Sequence, residues 1–167
     1  MTKNNITKNI AVNGVIAAIY FVLTLFSYPI AFGEINFRIS ELLILLCFWR
    51  PDFTIGITLG CFLSNTLSSL GPIDMLFGTL ATLGSCLFVA FSPKLAIGCV
   101  WPILFNAFVV GYELNLVLGS PFWITTGYVA IGEGAVIVVS YVLWMFLWRN
   151  KNFMAYLSPF RKANPSW

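Results

Sequence analysis

Six apolar runs separated by breaks of a few residues constrain this chain more than any other feature. The breaks fall at "SYPIAFGEINF", "WRPD", "LGPID", "SPK" and "LGSP", and each contains Pro or Gly, the usual helix punctuation. The segments between them cover 10–28, 38–50, 53–70, 74–92, 95–117 and 121–148. A transmembrane helix needs roughly 20 apolar residues. The pattern therefore predicts an all-α membrane protein, with six transmembrane helices in a single bundle and one domain over residues 1–167. The second segment has only thirteen residues and is expected to be re-entrant or steeply packed.

Composition agrees. Hydrophobic residues make up 59% of the 167 positions and charged residues 9%. A soluble domain carries about 25% charge, so this chain has too little to cover a surface in water. With six spans and short loops, no soluble catalytic domain is left over, and no enzymatic activity is expected. The start, "MTKNNITKNIAVNGVIAAIYFVLTLF", has the basic head and apolar run of a signal peptide. The run is long and no A-x-A site follows, so a retained first span is expected. Cys47, Cys61, Cys86 and Cys99 lie in apolar segments without ligand-like spacing and read as packing residues. There is no histidine, and neither a metal nor a cofactor is expected. The net charge of +3 invites a nucleic-acid reading, but the basic residues mark segment ends and form no stripe.

Lysine and arginine set the expected orientation. With the N-terminus inside, the cytoplasmic segments hold Lys3, Lys8, Arg50, Lys94, Arg149, Lys151, Arg161 and Lys162, eight of the nine. Only Arg38 is outside, and both termini are expected to be cytoplasmic. Asp52 is inside, beside Arg50. Glu34, Glu41, Asp74 and Glu113 fall at or near outer ends, and Glu133 lies near the middle of the last span. Such an acidic outer half suits a ligand that is cationic or rich in hydrogen-bond donors.

Glu133 is the strongest single signal. A carboxylate in mid-membrane costs about 2.5–3.5 kcal/mol on insertion scales, so it should face the interior and have a partner. In "AIGEGAV", Gly132 and Gly134 leave room for a ligand or a neighbouring backbone. The bland alternative is a protonated glutamate bonded to an adjacent helix. Asn106 and Glu113 are seven apart and share one face of the fifth span. Asn106 suits an interhelical hydrogen bond as well as ligand contact, and Glu113 could simply be solvated. In the third span Asn65 shares a face with Ser68 and Ser69 and is the group there suited to ligand contact. Asp74 follows Gly71-Pro72 and could bind substrate or stabilise a helix N-terminus. Arg38 and Glu41, three apart, can pair on one helix face at a cavity mouth. Trp123 and Tyr128 suit an interfacial belt better than stacking on a flat ligand.

The chain contains no Walker A sequence, so it does not cradle ATP in that way. No pair of broken helices in matching halves suggests an inverted-repeat carrier. Gly14 with Ala18, and Gly56 with Gly60, are small-xxx-small pairs. Internal packing accounts for either, whereas an exposed pair would mark a docking face for another membrane protein.

The pieces "FGEINFRISELL", "GCFLSN", "GPIDMLFGTLATLG", "FNAFVVGYEL" and "GEGAVIVV" occur in an order that resembles the QueT-type substrate-binding subunits, or S components, of energy-coupling factor (ECF) transporters. The resemblance implies a six-helix subunit of the bacterial plasma membrane without its own ATPase. Its substrate would be a queuosine precursor such as 7-aminomethyl-7-deazaguanine, bound from outside under the loop joining the first two helices. It would dock, through Gly14 and Ala18, onto a shared transmembrane coupling protein with two ABC ATPases. Two other classes remain open from the residues alone. A stand-alone carrier driven by an ion gradient would also place acids in mid-membrane, whereas a structural membrane protein would need none of them.

Overall fold

The computed structural model describes residues 3–32, 36–150 and 152, all of them in helices, turns or irregular connections. Glu34, Lys151, Arg161 and Lys162 lie outside the described residues. Helix α1 runs over Lys3–Phe26. It stops because Pro29 has no N–H for the carbonyl of Leu25, and the chain restarts as the one-turn α2, Tyr28–Ala31. A ten-residue 3-10 helix, Ile39–Phe48, follows, and a 3-10 turn, Pro51–Phe53, leads into α3, Thr54–Asn65. Then come α4 (Pro72–Phe91), the one-turn α5 (Leu95–Gly98), α6 (Val100–Leu118) and α7 (Phe122–Leu147).

Four of these stretches are long and apolar enough to cross a membrane: Ile6–Phe26, Pro72–Phe91, Leu95–Leu118 and Phe122–Leu147. They coincide with the first, fourth, fifth and sixth expected spans. The other two expectations need correction in length. The 38–50 segment is a 3-10 helix rising about 20 Å over its ten residues, and it is almost wholly buried. The 53–70 segment keeps twelve α-helical residues and passes into turns after Asn65. The fifth span is interrupted at Cys99. Pro102 lacks the N–H that would reach the carbonyl of Gly98, so the helix breaks one turn before it.

The 3-10 helix is the axis of the bundle, packed against α1, α4 and α7. Ile44, Leu45, Cys47, Phe48 and Trp49 join Tyr20, Ile57, Cys86, Val89 and Trp144 in the main core. Ser140 of α7 donates to the carbonyl of Leu42 at 2.8 Å. That bond satisfies a backbone acceptor that has no water to turn to within a bilayer. At one end Trp49 lies 5.1 Å from Trp144 and 6.4 Å from Trp148. Arg50 at the same end grips Asp52 through two hydrogen bonds, of 2.8 and 2.6 Å.

Glycine explains how α1 meets α3. A Cβ on Gly56 would sit 2.6 Å from the Asn13 carbonyl oxygen, and one on Gly60 would sit 2.7 Å from Cβ of Tyr20. The two backbones therefore touch along one small-xxx-small pair. Asn13 Oδ1 accepts the Gly56 N–H at 2.8 Å. This satisfies one of the donors that the first turn of any helix leaves unpaired. Large apolar side chains cover the outside of the bundle, Phe91, Phe26 and Trp123 being among the most exposed. Apolar exposure on that scale belongs in lipid. The protein is a helical membrane protein.

Candidate functional site

The polar residues that the apolar exterior cannot accommodate are gathered inside the bundle in two adjoining groups. The first is built on Arg38, which enters the 3-10 helix in extended conformation. Its guanidinium is buried and spends its donors on four elements. Nε donates to the Ala31 carbonyl at 3.2 Å and to Asn36 Oδ1 at 3.0 Å. One terminal nitrogen reaches Asn65 Oδ1 at 2.7 Å, and the other reaches Asp74 Oδ1 at 3.4 Å. Phe32 lies against the guanidinium, 4.8 Å from its centre. Asn65 closes the group by donating Nδ2 to the Asp74 carbonyl at 3.0 Å. A Cβ on Gly78 would collide with Asn65 Nδ2 at 2.6 Å, so the amide is placed by the absence of a side chain one turn along α4.

The second group lies deeper. Glu41 of the 3-10 helix accepts the Tyr20 hydroxyl on Oε1 at 2.8 Å. The side chain of Asn106 of α6 lies near both Glu41 and Glu133 of α7. Its Nδ2 meets neither in hydrogen-bond geometry, and Glu41 Oε2 and Glu133 Oε1 likewise have no protein partner. Glu113, two turns above Asn106 on α6, is wholly buried with both carboxylate oxygens unpartnered. Thr126, two turns above Glu133 on α7, is buried with an unpartnered hydroxyl. It abuts Gly111, where a Cβ would lie 2.5 Å from its Oγ1. A cavity of about 20 Å³ lies beside the first group, lined by Arg38, Asp74, Phe32 and Asn36 among others, and Glu113 is the member of the second group that reaches it. It has room for about one water molecule, so a heterocycle enters only if these side chains part.

All seven residues singled out as ligand contacts by the sequence are buried here: Arg38, Glu41, Asn65, Asp74, Asn106, Glu113 and Glu133. Their partners differ from those expected. Arg38 does not pair with Glu41; Asp74 and Asn65 take it, and Glu41 turns to Tyr20. Three residues apart in a 3-10 helix is a full turn, yet Arg38 lies just outside that helix and points to α3 and α4. Asp74 does occupy the first turn of α4, but its carboxylate is an ion-pair partner as well. Ser68 accepts the backbone N–H of Leu70 and lines the cavity beside Arg38. Trp123 and Tyr128 are exposed on the outside, in keeping with a belt.

Sequence reasoning missed Tyr20, Asn36 and Thr126. Thr126 is seven residues before Glu133, the same two-turn spacing that joined Asn106 to Glu113. Tyr20 belongs to a polar stripe on α1 with Asn13 and Thr24, continued by Ser27 just past the end of the helix, all buried. Asn36 has a left-handed φ of 49°, a conformation that asparagine tolerates better than most residues.

A helical bundle with an apolar exterior and several buried, incompletely partnered carboxylates belongs to the class of helical membrane proteins that keep polar groups in their interior. Comparison with known proteins narrows this class. The QueT transporter family model matches residues 10–149, and the chain belongs to that family. It is 31% identical over 153 residues to the queuosine precursor transporter QueT of Lactococcus lactis subsp. cremoris (strain MG1363), an alignment covering 82% of this chain and 90% of that one. No solved structure matches significantly.

Proposed function

We propose that this protein is the substrate-binding membrane subunit of an ECF-type importer. In this reading it captures 7-aminomethyl-7-deazaguanine, or a close relative, from outside and delivers it inward through a shared coupling protein driven by two ABC ATPases. The observation that carries the reading is the set of buried carboxylate oxygens without a partner, on Glu41, Glu113 and Glu133. Uncompensated carboxylates are costly inside a membrane. A donor-rich, cationic heterocycle would satisfy them. Family membership and the name of the Lactococcus relative support the queuosine-precursor class.

The coupling half of the proposal draws on α1. Gly14 and Ala18 are exposed, and nothing lies within 4 Å of a Cβ built on Gly14. Gly56 and Gly60 serve internal packing, which leaves the other small pair free for a partner helix. The short 3-10 helix and α3 would complete six crossings, with the termini and the basic end in the cytoplasm.

Titration calorimetry of the purified subunit against 7-aminomethyl-7-deazaguanine tests binding. Uptake in vesicles, with and without the coupling module and ATP, tests delivery. ATP-independent uptake driven by an ion gradient through the subunit alone would replace this reading with a stand-alone carrier.

A further inference from the structure

We infer that the site is a two-level clamp in which Glu113 holds the cationic arm of the ligand while Glu133, Glu41 and Asn106 read its heterocycle edge, so that the charge on the arm decides which precursor binds. This rests on the proposed function and adds to it the polarity and selectivity of the site.

Apart from the hydroxyls of Thr58 on α3 and Thr79 on α4, the buried unpartnered polar atoms among the described residues fall at two depths. Glu113 and Thr126 form the upper level, and Asn106, Glu133 and Glu41 the lower. Asn106 and Glu113 are seven residues apart on α6, as are Thr126 and Glu133 on α7. Seven residues of α-helix rise about 10 Å. A flat bicycle with a one-carbon arm, plus a hydrogen bond of about 3 Å at each end, is of that order.

The inventory of donors and acceptors fixes which end goes where. The unpartnered atoms of Glu113 are two acceptors, and Arg38, which lines the same cavity, spends its donors on Ala31, Asn36, Asn65 and Asp74. An ammonium has three donors and no acceptor, and fits that level alone. The lower level offers acceptors on Glu133 Oε1 and Glu41 Oε2, and one donor, Asn106 Nδ2. A guanine edge presents N–H donors beside the O6 acceptor and requires that mixture. Charge agrees with geometry. Among the charged groups lining the cavity, Arg38 is matched by Asp74, which leaves the carboxylate of Glu113 in excess. An ammonium balances it, whereas a neutral arm leaves it buried and unpaired.

The test is calorimetric titration of the full chain with 7-aminomethyl-7-deazaguanine and with 7-methyl-7-deazaguanine, which has the same ring and a neutral arm. The wild-type protein should prefer the ammonium-bearing base by about a hundredfold or more, because a site built for a polar group is left with unpaired atoms by the analogue that lacks it. Glu113→Gln should shrink that preference at least about tenfold, acting mainly on the ammonium ligand. Glu133→Gln should weaken both ligands by similar factors and keep the preference. Equal affinity of the wild-type protein for the two ligands would overturn the clamp without any variant having to fold. So would a Glu113→Gln protein that keeps the full preference. In both cases tight binding of the deazaguanine ring would leave the proposed function standing. Failure of the wild-type protein to bind either ligand would instead remove the proposed function, and the clamp with it.

Discussion

Arg38 shows how one residue can hold a membrane bundle together from the inside. Its guanidinium bonds to Ala31, Asn36, Asn65 and Asp74, tying α2, the following loop, α3 and α4 to the start of the 3-10 helix. Removing one member of a buried pair leaves the other charge without compensation, a loss of about 3–5 kcal/mol. Arg38→Met should therefore lower the thermal unfolding temperature sharply. Adding Asp74→Asn to it should recover part of the loss, because the orphaned carboxylate disappears. Strictly additive effects of the two changes, measured as a double-mutant cycle, would mean that the pair is not coupled. Glu133→Gln should behave in the opposite way. It removes an acid whose Oε1 has no protein partner, so stability should hold while affinity for 7-aminomethyl-7-deazaguanine falls at least about tenfold, from the loss of a charge-assisted hydrogen bond of about 1.5–3 kcal/mol. Unchanged affinity by calorimetry would remove Glu133 from the site.

At the scale of elements, the two faces of α1 do different work. The inner face presents Asn13, Ala17 and Tyr20 to α3, at distances that admit only glycine at positions 56 and 60. Gly60→Leu should force the helices apart and cost stability on the order of 1–3 kcal/mol, the range for overpacking. Gly14 and Ala18 look outward, so leucine at both should leave the unfolding temperature and ligand affinity intact while abolishing uptake with the coupling module. A fall in affinity as large as the fall in uptake would show that this face serves the subunit's own structure. The bounds of α4 and α7 were legible to within two residues, because Pro and Gly punctuate runs of full spanning length. The 3-10 helix was not legible, since a short apolar run carries no mark of its hydrogen-bond period. Nor was the Arg38 group: Asn65 is 27 residues from Arg38 and Asp74 is 36, and no local pattern records a contact across three elements. What local spacing did reveal was the Asn106–Glu113 column, because two helical turns place both on one face.

For the whole molecule, the distribution of charge along the bundle axis bears on how it sits in the membrane. Lys8 lies near the start of α1, Arg50 follows the 3-10 helix, Lys94 precedes α5 and Arg149 follows α7. Chain direction alternates along α1, the 3-10 helix, α3, α4, the α5–α6 span and α7, so these four gather at the end marked by Trp49, Trp144 and Trp148. Arg38 stands at the other end but is consumed by Asp74, Asn36 and Asn65, so it does not act as a surface charge in a loop. The orienting asymmetry is thus stronger than a count of residues suggests, because the rule depends on basic residues in loops flanking the spans. The expected outcome is a basic end in the cytoplasm and the α6–α7 turn outside. In a cysteine-free background, a cysteine replacing Ser120 should react with a membrane-impermeant maleimide added to intact cells. One replacing Lys94, which is exposed at the basic end, should react only after the membrane is opened. Labelling of position 94 in intact cells with protection of position 120 would invert the protein in the membrane. The Glu113 level, which lies toward the α6–α7 turn, would then face the cytoplasm, and capture of a precursor from outside would have to be abandoned along with the orientation.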